Sequence, residues 1–203
     1  MKRANLILLI DSSASIKGKK LGALVDAAQN IIQMFQSLNY SNSNFVGNIG
    51  AISFDEDVSA FSLKPANDFT LIERDFKGVT HMGAMYMTLS KELSSSIAFS
   101  SVGDNKNILV LFSDGGATDI FSDGFVEILR NQAFINSRRI AVSVGDRINR
   151  QVLSSFCTFS SDLFRAEDIE PVNAILRYTI DSLVMPKPTL DYRPRIENDS
   201  EWD

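Results

Sequence analysis

Apolar positions along this chain fall into two kinds of run. Residues 6–10 (Leu-Ile-Leu-Leu-Ile) and 108–112 (Ile-Leu-Val-Leu-Phe) are apolar without a break. A strand with one face in water would need a polar residue at every second position, so both runs predict central parallel strands covered on both faces. Residues 21–38 instead bring Leu21, Leu24, Ala28, Ile31, Phe35 and Leu38 to one side at helical spacing, which predicts a helix lying on that sheet.

The remaining pattern continues the alternation. Residues 45–54 read as a second strand weakened by Gly47 and Gly50, and the alternating residues 58–63 read as a half-exposed edge strand paired antiparallel. A short helix is expected near Phe69 and Ile72, and another from Met82, where Met85, Leu89 and Leu93 recur. Helices over about 125–136, 149–156 and 169–183 then alternate with strands at 140–144 and 163–165. This order specifies a Rossmann-like, doubly wound, mostly parallel α/β sheet with one antiparallel edge strand and helices on both faces. Residues 1–185 form the expected domain. Residues 186–203 carry Pro186, Pro188 and Pro194 in an acidic segment without a periodic apolar face, and read as a solvated C-terminal tail.

Both solid strands end in polar turns. Asp11-Ser12-Ser13-Ala14-Ser15 follows the first and Ser113-Asp114-Gly115-Gly116 follows the other, at the strand ends where open α/β sheets place ligands. Asp11, Ser13 and Ser15 at alternate positions are three hard oxygens able to converge on a Mg²⁺-like ion. Taken alone, the same Asp and Ser more often serve as helix caps, and Thr80 before the helix at Met82 has a capping alternative too.

Composition narrows the function. Of 203 residues 44% are hydrophobic and the net charge is -5, enough for one sizeable core and against a phosphate-backbone binder, so nucleic acid is an unexpected partner. The run after Met1-Lys2-Arg3 is too short to span a membrane and lacks a cleavage signature. The lone Cys157 excludes an intramolecular disulfide and a Cys-rich zinc site, so a cytoplasmic location is expected. The only histidine, His81, comes without a Gly-x-Ser-x-Gly elbow, and residues 16–20 lack the glycine spacing of a phosphate-binding loop. No lysine, arginine or histidine reads as placed to neutralise a transferring phosphate.

Asp11-x-Ser13-x-Ser15, Gly78-Val79-Thr80 and Asp114-Gly115 occur in the order of the metal-ion-dependent adhesion site of von Willebrand factor A domains. The resemblance covers residues 4–183, with Ser143-Val144-Gly145-Asp146 and Phe164-Arg165-Ala166 similar to later strands of that fold. The compact frame and the Asp114–Asp119 turn look most like bacterial tellurium-resistance Y proteins. The resemblance implies that Asp11, Ser13, Ser15, Thr80 and Asp114 hold a divalent cation, Mg²⁺ with Mn²⁺ or Ca²⁺ as substitutes, directly or through water. It further implies a non-catalytic module that binds a protein partner through an Asp or Glu of that partner. Val79 stands where many relatives have a second glycine. A Mg²⁺-dependent phosphoryl-transfer hydrolase and a metal-free structural subunit are the alternatives.

Overall fold

The computed structural model describes residues 2–72, 75–95, 97–99 and 105–185. The expected tail, residues 186–203, lies outside the described residues. Six strands form one sheet in the order β3-β2-β1-β4-β5-β6. They are β1 (Lys2–Asp11), β2 (Phe45–Phe54), β3 (Ser62–Pro65), β4 (Asn105–Ser113), β5 (Arg138–Ser143) and β6 (Leu163–Arg165). All neighbours pair parallel except β2 and β3, which run antiparallel.

The uninterrupted apolar runs have a direct cause, since successive side chains of β1 enter two different cores. Leu6, Leu8 and Ile10 face α1 (Lys19–Ser41) and α6 (Glu170–Val184). Ile7 and Leu9 face α2 (Met82–Ser95), α3 (Phe121–Ile128), α4 (Gln132–Ile135) and α5 (Arg150–Phe156). Strand β4 divides the same way, with Val110 on the first side and Leu109 and Leu111 on the second. Period-two alternation is present in direction, and burial on both faces hides it from polarity.

Three local expectations shift. The antiparallel edge strand is there, but at Ser62–Pro65, because the expected residues 58–63 mostly cross from β2 and leave only a Phe54–Val58 bridge. The helix near Phe69 is a single 3₁₀ turn, Ala66–Asp68. The helix expected over 125–136 is two, broken where the Asn131 side chain accepts from the Ala133 and Phe134 N–H groups and so caps a second start. Gly47 and Gly50 do not interrupt β2; a Cβ at Gly47 would meet Asn39 Oδ1 at 2.8 Å, and one at Gly50 would meet the Phe61 ring at 2.5 Å. Each glycine makes room for a side chain crossing the sheet.

One polar feature inside the sheet has no counterpart in the hydrophobic pattern. Asn5, Asn48 and Asn107 stand in register on β1, β2 and β4. Asn48 Nδ2 donates to Asn5 Oδ1 (3.0 Å), and Asn5 Nδ2 donates to Asn107 Oδ1 (2.9 Å) and to the Ala98 carbonyl (2.8 Å). The ladder is satisfied internally, as burial of amides requires.

Candidate metal centre

The chain leaves β1 toward β2 on one side, while β4 returns on the other, so β1 and β4 are the neighbours between which the sheet order reverses. Their carboxyl ends carry Asp11 and Ser113-Asp114. The turn after β1 is fixed by three backbone donors. Ser12 N–H donates to the Phe54 carbonyl (2.8 Å), Ser13 N–H to Asp11 Oδ1 (3.0 Å) and Ile16 N–H to the Ser13 carbonyl (3.0 Å). This closes a tight loop that holds Ser13 inside and Ser15 at the surface.

Side chains from the two strand ends then meet. Ser15 Oγ donates to Asp114 Oδ2 at 2.8 Å, and Ser13 Oγ lies 3.1 Å from Ser15 Oγ. A hydroxyl has one proton, so Ser15 must accept from Ser13, and the order is Ser13 to Ser15 to Asp114. The Gly78–Thr80 segment is tied to both turns by its backbone: the Gly78 carbonyl accepts from Ala14 N–H (3.1 Å), and the Thr80 carbonyl accepts from Thr118 N–H (2.9 Å) and Oγ1 (3.0 Å). Thr80 is buried at the same end, although no hydrogen bond joins its hydroxyl to the other four predicted residues. Gly78, at φ +64, is a position where a Cβ would strike Glu56 at 2.6 Å, so the one glycine kept in that motif is the one the turn requires.

Capping does not account for these residues. Helix α1 begins eight positions beyond Asp11, with Gly18 at its N-cap and no side-chain cap bond, and α3 has Ile120 at its N-cap, also without one. The start of α2 is capped instead by Asp119, whose Oδ2 accepts from Ala84 N–H at 3.0 Å.

The two carboxylates differ in their surroundings. Asp11 is fully buried, and burial pushes its pKa up from the ordinary 3.8, with the Asp114 charge adding to the rise. Hydrogen bonds from Ser113 and Ser13 pull in the opposite direction without cancelling it. Ser113 Oγ donates to Asp11 Oδ2 at 2.6 Å and accepts from Gly115 N–H at 2.9 Å, so it holds the carboxylate and the next turn together. Among the described residues no Lys, Arg or His pairs with Asp11. Asp114 has such a partner: Lys20 Nζ lies 3.2 Å from its Oδ2. The sequence pattern did not show that a cationic side chain stands at the site; Lys20 is there, paired with Asp114.

Ser113 and Lys20 are absent from the sequence-derived set, as is Asp55, which is buried and accepts from Ser12 Oγ at 3.2 Å. Ser113 had a signal, its position beside Asp114 at the end of a solid strand. Lys20 had none, because nothing local links it to a residue 94 positions away.

The donor set suits a hard divalent cation. Two carboxylates and three hydroxyls offer oxygen only, and among the described residues no cluster of three or more His, Cys, Asp or Glu side chains exists that would suggest a softer or more highly charged site. Asp11 is a buried, ionisable group lacking a counter-charge among the described residues, a condition that a bound cation relieves. A comparison with known families matches residues 5–177 to the von Willebrand factor type A domain. The chain belongs to this family.

Solved structures with this VWA fold agree. Proximal thread matrix protein 1 from the mussel byssus, with a zinc-occupied MIDAS motif, is 18% identical over 89% of this chain and 48% of its own, with a TM-score of 0.64. The pilus adhesin SpaC from Lactobacillus rhamnosus GG is 13% identical over 91% of this chain and 30% of its own, also at 0.64. An aerotolerance-related membrane protein from Bacteroides fragilis is 13% identical over 88% of this chain and 99% of its own, at 0.56. This VWA chain spans less than half the length of the first two, and these identities speak for the fold. No curated protein sequence matches it significantly. Among the described residues of the VWA domain, no helix is long and apolar enough to cross a membrane.

Proposed function

We propose that this VWA domain is a metal-dependent protein-interaction module. Asp11, Ser13, Ser15, Thr80 and Asp114 would hold Mg²⁺ or a similar divalent cation, and a partner would present an Asp or Glu to it. The observation that carries the reading is the fully buried Asp11 carboxylate, without an ion pair among the described residues, beside a hydrogen-bonded relay of hydroxyls leading to Asp114. When bound, the cation supplies a Lewis-acidic position that exchanges water for a carboxylate. The chain's residues do the rest. Ser113 and the Ser13 N–H fix both Asp11 oxygens, Ser13 and Ser15 present neutral oxygens, and with only two carboxylates the cation and these residues together are near neutral, so an acidic ligand is not repelled. The zinc in the MIDAS motif of the byssus protein supports a cation at the corresponding strand ends.

Hydrolysis is the second reading, and the position of Lys20 is the observation in its favour. That ammonium is committed to Asp114, and the ring of the only histidine, with its Nδ1 3.0 Å from the Glu56 carbonyl, has no hydrogen bond among the described residues to any of the five site residues, so neither stands as a positioned general base. This reading assigns the domain no catalysis, and a single cysteine, which cannot form an intramolecular disulfide, supports a cytoplasmic location for it.

Calorimetric titration of Mg²⁺ and Mn²⁺ into wild type and Asp114→Ala tests the cation. Affinity capture in Mg²⁺ or in EDTA, alongside a phosphatase and nucleotidase screen, tests what the cation serves. Binding lost in Asp114→Ala, capture lost in EDTA and no turnover are expected. Capture indifferent to EDTA would sink the adhesion mechanism, and Mg²⁺-dependent turnover would favour the hydrolase.

A further inference from the structure

Lys20 stands in the first turn of α1, where the helix dipole disfavours a cation, and that turn holds no acidic residue to offset it. Lys17 and Lys19 lie beside it, so the local preference runs against a third ammonium there. Conflicts of this kind concentrate where a residue serves a site. Its ammonium reaches Asp114 Oδ2 at 3.2 Å, the same oxygen that takes the Ser15 proton. The route to that oxygen is built from a distant turn. Gly145, between β5 and α5, has φ +88, and a Cβ there would come within 2.4 Å of Lys20 Cε and 3.0 Å of Cδ. A glycine leaves the passage open for the lysine stem.

One carboxylate of the centre thus has a cation delivered to it along a shaped path, and the other, Asp11, has none among the described residues. We propose that Lys20 is the resident counter-ion of Asp114 and sets the charge of the metal centre, an inference that rests on reading these residues as a cation site. Two carboxylates and a divalent ion sum to zero, so Lys20 leaves the loaded centre with a net positive charge. Two consequences follow. The divalent ion binds against a like charge and is held more weakly than its oxygen ligands alone would hold it, which keeps the ion exchangeable. The loaded centre also selects anionic over neutral ligands, because excess positive charge attracts a carboxylate in place of water. When the ion leaves, Lys20 keeps Asp114 neutralised and in position.

The test is calorimetric titration of Mg²⁺ and Mn²⁺ into wild type, Lys20→Met and Lys20→Arg at low ionic strength, with Asp114→Ala as the blank and circular dichroism to confirm folding. Lys20→Met is expected to bind either ion about tenfold more tightly, the scale of removing a like charge a few ångströms away. Lys20→Arg retains the charge and stays within about threefold of wild type. Added salt narrows the gap between wild type and Lys20→Met, which a purely structural role of the side chain would not do. Lys20→Gln replaces Lys20→Met if the latter fails to fold. Equal or weaker binding by the neutral variant overturns the proposal and leaves the cation site standing. No binding heat in wild type or any variant removes the site and the proposal together.

Discussion

Replacing Ser113 with alanine should unfasten Asp11 without touching any residue that faces the cation. Ser113 is fully buried, and its hydroxyl makes two bonds: a 2.6 Å donation to the Asp11 carboxylate and a 2.9 Å acceptance from Gly115 N–H. A hydrogen bond to a charged group contributes about 1.5–3 kcal/mol and a neutral one about 1, so the loss is roughly 2–4 kcal/mol after allowing for non-additivity. For a chain of this size that lowers the melting temperature by roughly 5–15 °C. The assay is thermal unfolding in EDTA across pH. Because burial raises Asp11's folded pKa above its unfolded value of 3.8, protonation relieves a buried charge, and the stability this group contributes rises as pH falls through the raised value. Ser113 stabilises the ionised form, so the deficit of Ser113→Ala is greatest at neutral pH and shrinks on acidification. Metal affinity should fall by about 10–100-fold, as when a ligand-orienting hydrogen bond is lost. A variant that melts with wild type in EDTA at neutral pH would refute the reasoning, and a deficit that ignores pH would assign Ser113 to Gly115 alone.

Asn5→Ala removes the donor to the Asn107 amide oxygen and the acceptor for the Asn48 amide N–H and is expected to cost about 2–4 kcal/mol in chemical denaturation, against about 1 for Asn48→Ala, which removes one rung; equal costs would argue against a cooperative ladder. Gly124→Ala places a Cβ 2.1 Å from the Gly83 carbonyl where α3 crosses α2, and should cost at least about 1–3 kcal/mol by thermal melting; a neutral result would show that the two helices separate freely. Mg²⁺ affinity measured against pH should begin to fall above the ordinary aspartate range, since the raised pKa of Asp11 makes protons compete early; a decline confined to pH values near 3.8 would contradict the burial argument.

Much of this VWA domain was legible in one dimension. Solid apolar runs at 6–10 and 108–112 gave the two central strands, because burial on both faces imposes apolarity at every position. The polar turns that end them carried Asp11, Ser13, Ser15 and Asp114, but in sequence the same residues also read as helix caps, and it was their order, shared with von Willebrand factor A domains, that pointed to a cation. The edge strand slipped, because residues 58–63 and Ser62–Pro65 have similar half-polar patterns and only pairing with Asn48–Ala51 selects between them. The long helix split at Asn131, whose cap depends on a side-chain rotamer that composition does not reveal.

What the tertiary structure alone decided is the electrical character of the site. Asp11 and Asp114 are equivalent letters in the sequence, yet folding buries one with no Lys, Arg or His partner among the described residues and brings the other to Lys20 through the space above Gly145. Burial and long-range pairing depend on where the chain crosses itself, with Ser113 meeting Asp11 across 102 positions and Lys20 meeting Asp114 across 94. Strand periodicity is a local property and survives in the sequence. The field around a carboxylate is a sum over neighbours that only the fold assembles.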